Sequence, residues 1–252
     1  MTYCVGLRLE AGLVMLSDTR TNAGVDNISR FGKMFTWEVP GERAICLTCA
    51  GNLSITQGVV TMIETAIAAH GRGEAEPCVL STPSLFATAE LVGGYMSEMQ
   101  ARYGKALAAE GVADDATLLL GGQRRGGAAR LFMIYTPGNF IEATADTPFF
   151  QIGEHKYGKP ILDRVITPQT TLTDAVKAAY VSMDSTLRSN LSVGMPLDLA
   201  VIPAGQVRFS SRRRIPADDP EFSRMSTLWS ESLRAAFQEL PEVTGIEAPA
   251  SG

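Results

Sequence analysis

The order of strand-like and helix-like segments constrains the fold of this chain more than any other feature. Alternating or apolar strand-like segments occupy residues 2–9, 12–19, 33–39, 43–50, 116–123, 128–135, 139–144, 197–203 and 206–211. Helical periodicity marks residues 52–70, the stretch after Pro83, and residues 157–165, 172–188 and 221–240. Because strands and helices come in blocks rather than alternating, the sequence predicts an α+β protein, a four-layer αββα sandwich of two antiparallel sheets between helical layers.

The sequence is organised as one domain. Its 252 residues contain neither an internal repeat nor a linker-like stretch that would divide it. We therefore expect a single domain over residues 1–240. The remaining segment, PEVTGIEAPASG at residues 241–252, is expected to be a flexible tail or an arm that contacts another subunit.

Charge and hydropathy exclude several classes of partner. The net charge is −5, which disfavours non-specific binding of nucleic acid. The basic run Arg212-Arg213-Arg214 follows a strand-like stretch and is interpreted as a solvated sheet edge. No apolar run has the length of a membrane span, and the N-terminal segment is not that of a signal peptide, so we expect a cytoplasmic protein with no membrane partner.

Cysteine and histidine are too few for most metal or thiol chemistry. Cys46 and Cys49 have the C-x-x-C spacing, but they lie in a strand-like segment, where positions three apart face opposite sides. Core packing is the favoured interpretation of both. With only His70 and His155 in the chain, neither a metal site nor a cofactor is expected, and any hydrolytic chemistry must do without a histidine base or rest on His155.

The first residues suggest a different nucleophile. Thr2 is small enough for an aminopeptidase to remove Met1, which would leave a hydroxyl and a free α-amino group on one residue. Such a pair is a nucleophile with its own base. A Met-Thr start that carries no function remains the alternative when these residues are considered alone.

Neighbouring motifs give this start a context. The first hairpin returns SDTRTNAG (residues 17–24) towards the N-terminus, Lys33 opens the third strand, and CAGN (residues 49–52) stands at a strand-to-helix corner. Together with Thr2 this set resembles the proteasome β-type subunits of the N-terminal-nucleophile (Ntn) hydrolase superfamily. The MTYCV start is similar to that of the bacterial ancestral β-subunit group, Anbu.

Two later segments extend the resemblance to about residue 215. FFQIGEHKYGKPILDR, at residues 149–164, is similar to the glycine-turn segment before the family's third helix. RSNLSVG, at residues 188–194, is similar to its later serine-containing turn. The resemblance implies the Ntn-hydrolase fold.

The resemblance also implies roles for individual residues. Thr2 would be the nucleophile, with its α-amino group as the base. Lys33 would favour the neutral amine and help to ionise the hydroxyl, Asp18 would hold Lys33, and the Gly51 N–H would stabilise the oxyanion. Each of Asp18, Lys33 and Gly51 could separately be a turn cap, an edge residue or a corner glycine.

A substrate pocket and a support position for the amine follow from the same resemblance. Thr21, Cys49 and Leu53 would line the pocket for the residue before the scissile bond. Ser192 stands in the place of the family's later serine.

Two family positions are filled differently here. Glu154 stands where a serine is usual, and Ser189 stands where an aspartate is usual, with Asp184 one helical turn earlier as an alternative carboxylate. A carboxylate at Glu154 near the α-amino group would raise the pKa of that amine.

The expected function is a threonine-type peptidase that acts on peptides or unfolded protein inside a homo-oligomeric ring or spiral. Two alternatives remain: an Ntn-type amidase or acyl transferase acting on a small amide, and a catalytically weak assembly scaffold. The sequence leaves an ATP-dependent unfoldase partner undetermined.

Overall fold

The computed structural model describes residues 2–22, 28–74 and 77–244. These residues form twelve strands and five helices. The strands are β1 (Tyr3–Leu9), β2 (Gly12–Asp18), β3 (Arg20–Asn22), β4 (Ile28–Arg30), β5 (Met34–Val39), β6 (Arg43–Gly51), β7 (Ala116–Arg124), β8 (Arg130–Ile134), β9 (Phe140–Glu142), β10 (Phe149–Gly153), β11 (Leu197–Pro203) and β12 (Ser211–Ile215). The helices are α1 (Leu53–Gly71), α2 (Leu85–Ala109), α3 (Lys159–Val165), α4 (Leu172–Ser189) and α5 (Pro220–Gln238).

Two five-stranded antiparallel sheets dominate the described structure. The first has the strand order β10-β1-β2-β11-β12, and the second has the order β5-β6-β7-β8-β9. Strands β3 and β4 form a separate two-stranded ribbon. In each large sheet the neighbouring strands run antiparallel.

Three apolar clusters define the layers. One lies between the two sheets and joins Cys4, Met15 and Ala200 of the first sheet to Cys46 and Leu131 of the second. The other two lie on the outer faces, where α3, α4 and α5 cover the first sheet and α1 and α2 cover the second. The order of layers is helix, sheet, sheet, helix, which confirms the predicted αββα sandwich.

Burial on both faces explains the composition of the central strands. All seven residues of β2 are buried, and β1 has a single half-buried position. A strand covered on both sides must be apolar nearly throughout, so GLVMLSD is a continuous run rather than an alternation. Cys46 and Cys49 are buried in β6 as free thiols, in agreement with the packing interpretation.

Side-chain caps begin the helices of the second sheet's outer layer. The Asn52 side chain accepts hydrogen bonds from the backbone N–H groups of Ser54 and Ile55 at the start of α1. Ser84 does the same for Ala87 at the start of α2. The first cap fixes the position where β6 turns into α1, a corner that contributes to the candidate site below.

One predicted strand is wrong. Residues 206–211 do not form a strand; β12 begins at Ser211 and contains the arginine run. Gly205 and Val207 both adopt positive φ, of 75° and 49°, which turns the chain before the strand pairs with β11. The arginines lie exposed on this outermost strand, as an edge interpretation requires.

The last elements differ slightly from expectation. Helix α5 ends at Gln238 rather than Leu240, and residues 241–244 follow it outside any helix or strand. The predicted tail continues into residues 245–252, which lie outside the described residues. In the described part of the chain, no helix combines the length and apolar character needed to cross a membrane.

A close approach between α2 and the β8–β9 turn gives a stability prediction. A Cβ on Gly93 would lie 2.2 Å from the Gly138 carbonyl oxygen, whereas a Cβ on the neighbouring Gly94 would meet nothing within 4 Å. We expect Gly93→Ala to lower the free energy of unfolding by about 2 kcal/mol, because backbone must move. Gly94→Ala, the matched control, should raise it by up to about 1 kcal/mol through helix propensity. Urea denaturation of both variants measures this, and equal effects would contradict the described packing.

Candidate active site

Thr2 lies buried at the entry to β1. Only 7% of the residue is exposed. Its carbonyl oxygen accepts a 2.7 Å hydrogen bond from the Glu154 backbone N–H, one residue beyond the β1–β10 ladder. Gly153 makes this approach possible, since it has a φ of 78° and a Cβ there would lie 2.0 Å from the same Thr2 oxygen.

Asp18, the last residue of β2, gathers three donors on a fully buried carboxylate. Its Oδ1 accepts hydrogen bonds from the Tyr3 backbone N–H at 3.2 Å and from Lys33 Nζ at 2.7 Å. Its Oδ2 accepts one from the Gly194 backbone N–H at 3.2 Å. One carboxylate therefore links the peptide that follows Thr2, the lysine ammonium and the turn at residues 190–194.

Hydrogen bonds hold Lys33 at its side-chain ammonium and at its backbone carbonyl. Its side chain is 5% exposed, and Nζ also donates to the Arg20 carbonyl oxygen at 2.5 Å. Its own carbonyl oxygen accepts a 3.0 Å hydrogen bond from the Cys49 N–H. These contacts fix the ammonium between β2 and the end of β6, on the Thr2 side of the sandwich.

The electrostatics of this pair reflect burial. Removal from water raises the pKa of the Asp18 carboxyl, and the Lys33 ammonium together with the two backbone N–H groups opposes that rise. A buried ion pair of this kind tolerates the loss of neither partner, because the remaining charge would be desolvated and unpaired.

Gly51 forms the corner between β6 and α1. It is exposed and has a φ of 102°, and a Cβ there would lie 2.3 Å from the Asp115 carbonyl oxygen. Only glycine fits this backbone conformation against that carbonyl. The corner directly precedes the capped start of α1, where the helix dipole favours negative charge.

The three predicted pocket residues lie in different elements. Cys49 is buried in β6, and burial raises the pKa of its thiol to about 11, which keeps it uncharged at neutral pH. Leu53 is half-buried as the first residue of α1. Thr21 belongs to β3, where it pairs with Ser29.

A second polar group lies on the β10 side of Thr2. The Glu154 carboxylate accepts a hydrogen bond from Asn190 Nδ2 at 2.7 Å and pairs with Lys156 Nζ at 3.3 Å. The Asn190 side-chain oxygen in turn accepts the Ser192 backbone N–H at 2.9 Å. The turn after α4 is thus tied to the residue whose backbone N–H binds the Thr2 carbonyl oxygen.

Ser189, Ser192 and Asp184 are placed differently from one another. Ser189 is exposed as the last residue of α4, and Ser192 is half-buried within the turn that holds Gly194. The Asp184 carboxylate accepts hydrogen bonds from Arg188 Nε at 3.0 Å and Ser226 Oγ at 2.7 Å, which directs it towards α5.

The sequence analysis did not predict three groups that take part in the site: Gly194, the Arg20 carbonyl and Asn190. The first two bind through backbone atoms, and the residue type gives no indication of such contacts. Asn190 could have been suspected from the RSNLSVG turn, where an Asx residue two positions before Ser192 is a common turn former. Among the described residues, no three His, Cys, Asp or Glu side chains are grouped so that they could hold a metal ion.

Among known proteins, the chain is similar to several whose structures have been solved. No protein-family model matches the chain, and no curated protein matches it. It is similar to "Anbu (ancestral beta-subunit)" from Yersinia bercovieri, at 43% identity over 97% of this chain and 100% of that chain, with a TM-score of 0.90.

Two further structures are similar over nearly their whole length. The Gly-1 mutant of Anbu from Hyphomicrobium sp. strain MC1 is 46% identical over 96% of this chain and 99% of that chain, with a TM-score of 0.87. The helical assembly of the Anbu complex from Pseudomonas aeruginosa is 43% identical over 96% of this chain and 98% of that chain, with a TM-score of 0.89.

The buried pair predicts a pH-dependent stability defect. Lys33→Met leaves the Asp18 carboxylate without its cation, which should lower the free energy of unfolding at pH 8 by about 3 kcal/mol. Without the ammonium, the pKa of Asp18 in the folded protein lies further above its unfolded value of about 3.9. The Lys33→Met variant therefore keeps its free energy of unfolding at low pH and loses it as the pH rises through the folded-state pKa of Asp18.

Urea denaturation at pH 5 and pH 8 measures this effect. The double variant Asp18→Asn/Lys33→Met, which removes both charges, is the control and should regain most of the loss at pH 8. A defect in Lys33→Met that is equal at both pH values, and equally large in the double variant, would show that the pair does not act as described.

Proposed function

Because this chain belongs to the Anbu (ancestral β-subunit) family, which is related to the proteasome β-type subunits, we propose that it is a threonine-type Ntn hydrolase that cleaves peptide amides. Family membership supports the fold, and the particular residues of the site support the chemistry.

The observation that carries the proposal is the position of Asp18 Oδ1. This one oxygen accepts hydrogen bonds from Tyr3 N–H, which belongs to the peptide that follows Thr2, and from Lys33 Nζ. This oxygen links the lysine ammonium to the peptide that follows Thr2, which supports a role for Lys33 beside the hydroxyl. A turn cap or an edge lysine would account for neither the complete burial of Asp18 nor the near-complete burial of Lys33.

The proposed reaction begins once Met1 has been removed. Thr2 Oγ attacks the carbonyl carbon of the substrate, and its hydroxyl proton passes to the neutral α-amino group, whose usual pKa is about 7.7–8.0. The Lys33 ammonium stabilises the developing alkoxide and favours the neutral amine, while Asp18 holds Lys33 in place. The proton then goes to the leaving amine, and water releases the acyl group from Thr2.

Two further parts of the site complete the proposal. The Gly51 N–H, at the exposed corner before α1, donates to the oxyanion. Thr21, Cys49 and Leu53 receive the substrate side chain before the scissile bond, and the small, uncharged Cys49 thiol favours an apolar group there. Ser189 and Ser192 are assigned to support of the amine, as the family resemblance implies.

We also propose that the active form is a homo-oligomer. The solved structure of the relative from Pseudomonas aeruginosa is a helical assembly. In this chain, α5 exposes large apolar side chains, with Leu233 50% and Phe237 69% exposed, which is typical of a surface that another subunit covers. Whether such copies close into a ring or continue as a spiral depends on the rotation at their interface.

The nucleophile is tested with three proteins and two measurements. Intact mass should be lower than that of the full chain by one methionine, and only such protein should cleave fluorogenic peptides. Thr2→Ala should lose at least about 1000-fold in kcat/KM, because the attacking oxygen is absent. Thr2→Ser keeps a hydroxyl beside the amine and is the control that should retain measurable turnover.

Different outcomes separate the competing functions. Turnover of small amides without peptide cleavage, still lost in Thr2→Ala, would favour an amidase on the same site. Equal activity of the wild-type protein and Thr2→Ala would overturn the nucleophile. A mass that retains Met1, with no turnover of either substrate class, would favour an assembly scaffold.

A further inference from the structure

The end of β10 brings Glu154 against Thr2. The register pairs Tyr3 with Gly153 and Cys4 with Ile152, and one residue beyond this ladder the Glu154 N–H donates to the Thr2 carbonyl oxygen at 2.7 Å. Gly153, with a φ of 78°, turns the chain between the ladder and Glu154, so the contact between the two residues is this backbone hydrogen bond. A glutamate side chain at this position therefore has the reach to contact the first atoms of Thr2.

The Glu154 carboxylate is held rather than free. Its side chain is 11% exposed, with Oε2 bound to Asn190 Nδ2 at 2.7 Å and Oε1 paired with Lys156 Nζ at 3.3 Å. Asn190 is fixed in turn, since its Oδ1 accepts the Ser192 N–H and its backbone N–H donates to the Thr186 carbonyl oxygen. Each carboxylate oxygen thus has its own polar partner.

The other described charges on the neighbouring elements are engaged elsewhere. Asp18 and Lys33 neutralise each other on the β2 side. On the α4 side, Asp184 pairs with Arg188, and His155, beyond Glu154, has its ring Nδ1 3.2 Å from the Gly153 carbonyl oxygen. In the part of the chain that the structure describes, Glu154, with Lys156 partly offsetting it, is therefore the charge that follows β10 beside Thr2.

We propose that Glu154 anchors the α-amino group of Thr2 and that Asn190 and Lys156 position its carboxylate for this contact. The inference rests on the proposed function, in which that amine is the base. Glu154 stands at the family's serine position, and it would act beside Ser189 and Ser192 in supporting the amine. Once Met1 is removed, the α-ammonium donates to the carboxylate, and deprotonation leaves an amine oriented towards Thr2 Oγ.

The opposite charges of Glu154 and Lys156 predict opposite shifts in the pKa of the Thr2 α-amino group when each is removed. A carboxylate beside the α-ammonium stabilises the charged form, so its removal should let the amine lose its proton at lower pH. Lys156 weakens that carboxylate's influence, so its removal should keep the proton on the amine to higher pH. If Glu154 and Lys156 only supported the fold, their removal would not shift the pKa of the Thr2 amine in opposite directions.

The test measures the amine itself and does not require turnover. Protein that lacks Met1 is acylated at a series of pH values with a limiting amine-reactive reagent. Mass spectrometry then follows the tryptic peptide of residues 2–8, whose sequence TYCVGLR contains no lysine, so that its amine label is on Thr2. The pH midpoint of acylation gives the titration of the α-amino group.

Three variants are compared with the wild-type protein. Glu154→Gln, which can still accept the Asn190 hydrogen bond, should lower the midpoint by about one pH unit. Lys156→Met should raise it by a smaller amount. Lys159→Met, which removes a surface lysine paired with Asp163 in the same segment, is the control and should leave it unchanged.

Each outcome bears on the anchor separately from the peptidase. An unchanged or higher midpoint in a folded Glu154→Gln protein, or a lower midpoint in Lys156→Met, would overturn the anchor even if peptides are cleaved normally. The expected pair of opposite shifts in a protein that cleaves nothing would support the anchor and count against the peptidase.

Discussion

The candidate site depends on the three hydrogen bonds that the Asp18 carboxylate accepts. They come from the start of β1, from the Lys33 side chain before β5, and from the turn that precedes β11. Since these segments are far apart in sequence, the carboxylate acts as a junction through which the two sheets and the α4–β11 turn fix one another near Thr2. A change in any of the three segments is transmitted to the residue that bears the hydroxyl.

Such a junction needs a rigid and dry surrounding. Removing an aspartate and a lysine from water carries a desolvation cost of several kcal/mol per ion, which good geometry and additional hydrogen bonds must offset. The αββα sandwich supplies that geometry, because the apolar cluster between the sheets holds β1, β2 and β6 in a fixed relation. The helices on the outer faces then bury the other sides of the same strands.

Sequence periodicity predicted the elements that are long and whose apolar pattern is strong. Helices α1, α2 and α4 and strands β1, β2, β6 and β11 all lie where alternation, apolar runs or caps indicate them. The failure at residues 206–211 has a local cause, because positive φ at Gly205 and Val207 delays the strand, and nothing in the residue pattern marks Val207 for that conformation. Asn190 was missed because its role depends on its meeting Glu154 across a separation of 36 residues.

The sequence by itself determined the chemical groups that this chain brings to the site: a threonine behind the initiator methionine, an aspartate at the end of β2, a lysine before β5, and a glycine at the β6–α1 corner. It also determined the block order of elements, because that order follows from local apolar periodicity. Only the tertiary structure decided that Asp18 binds Lys33, Tyr3 and Gly194, and that the Glu154 N–H binds the Thr2 carbonyl oxygen. The physical reason is that hydrogen bonds through backbone atoms and across strand registers depend on how distant segments are placed, and residue identity does not encode that placement locally.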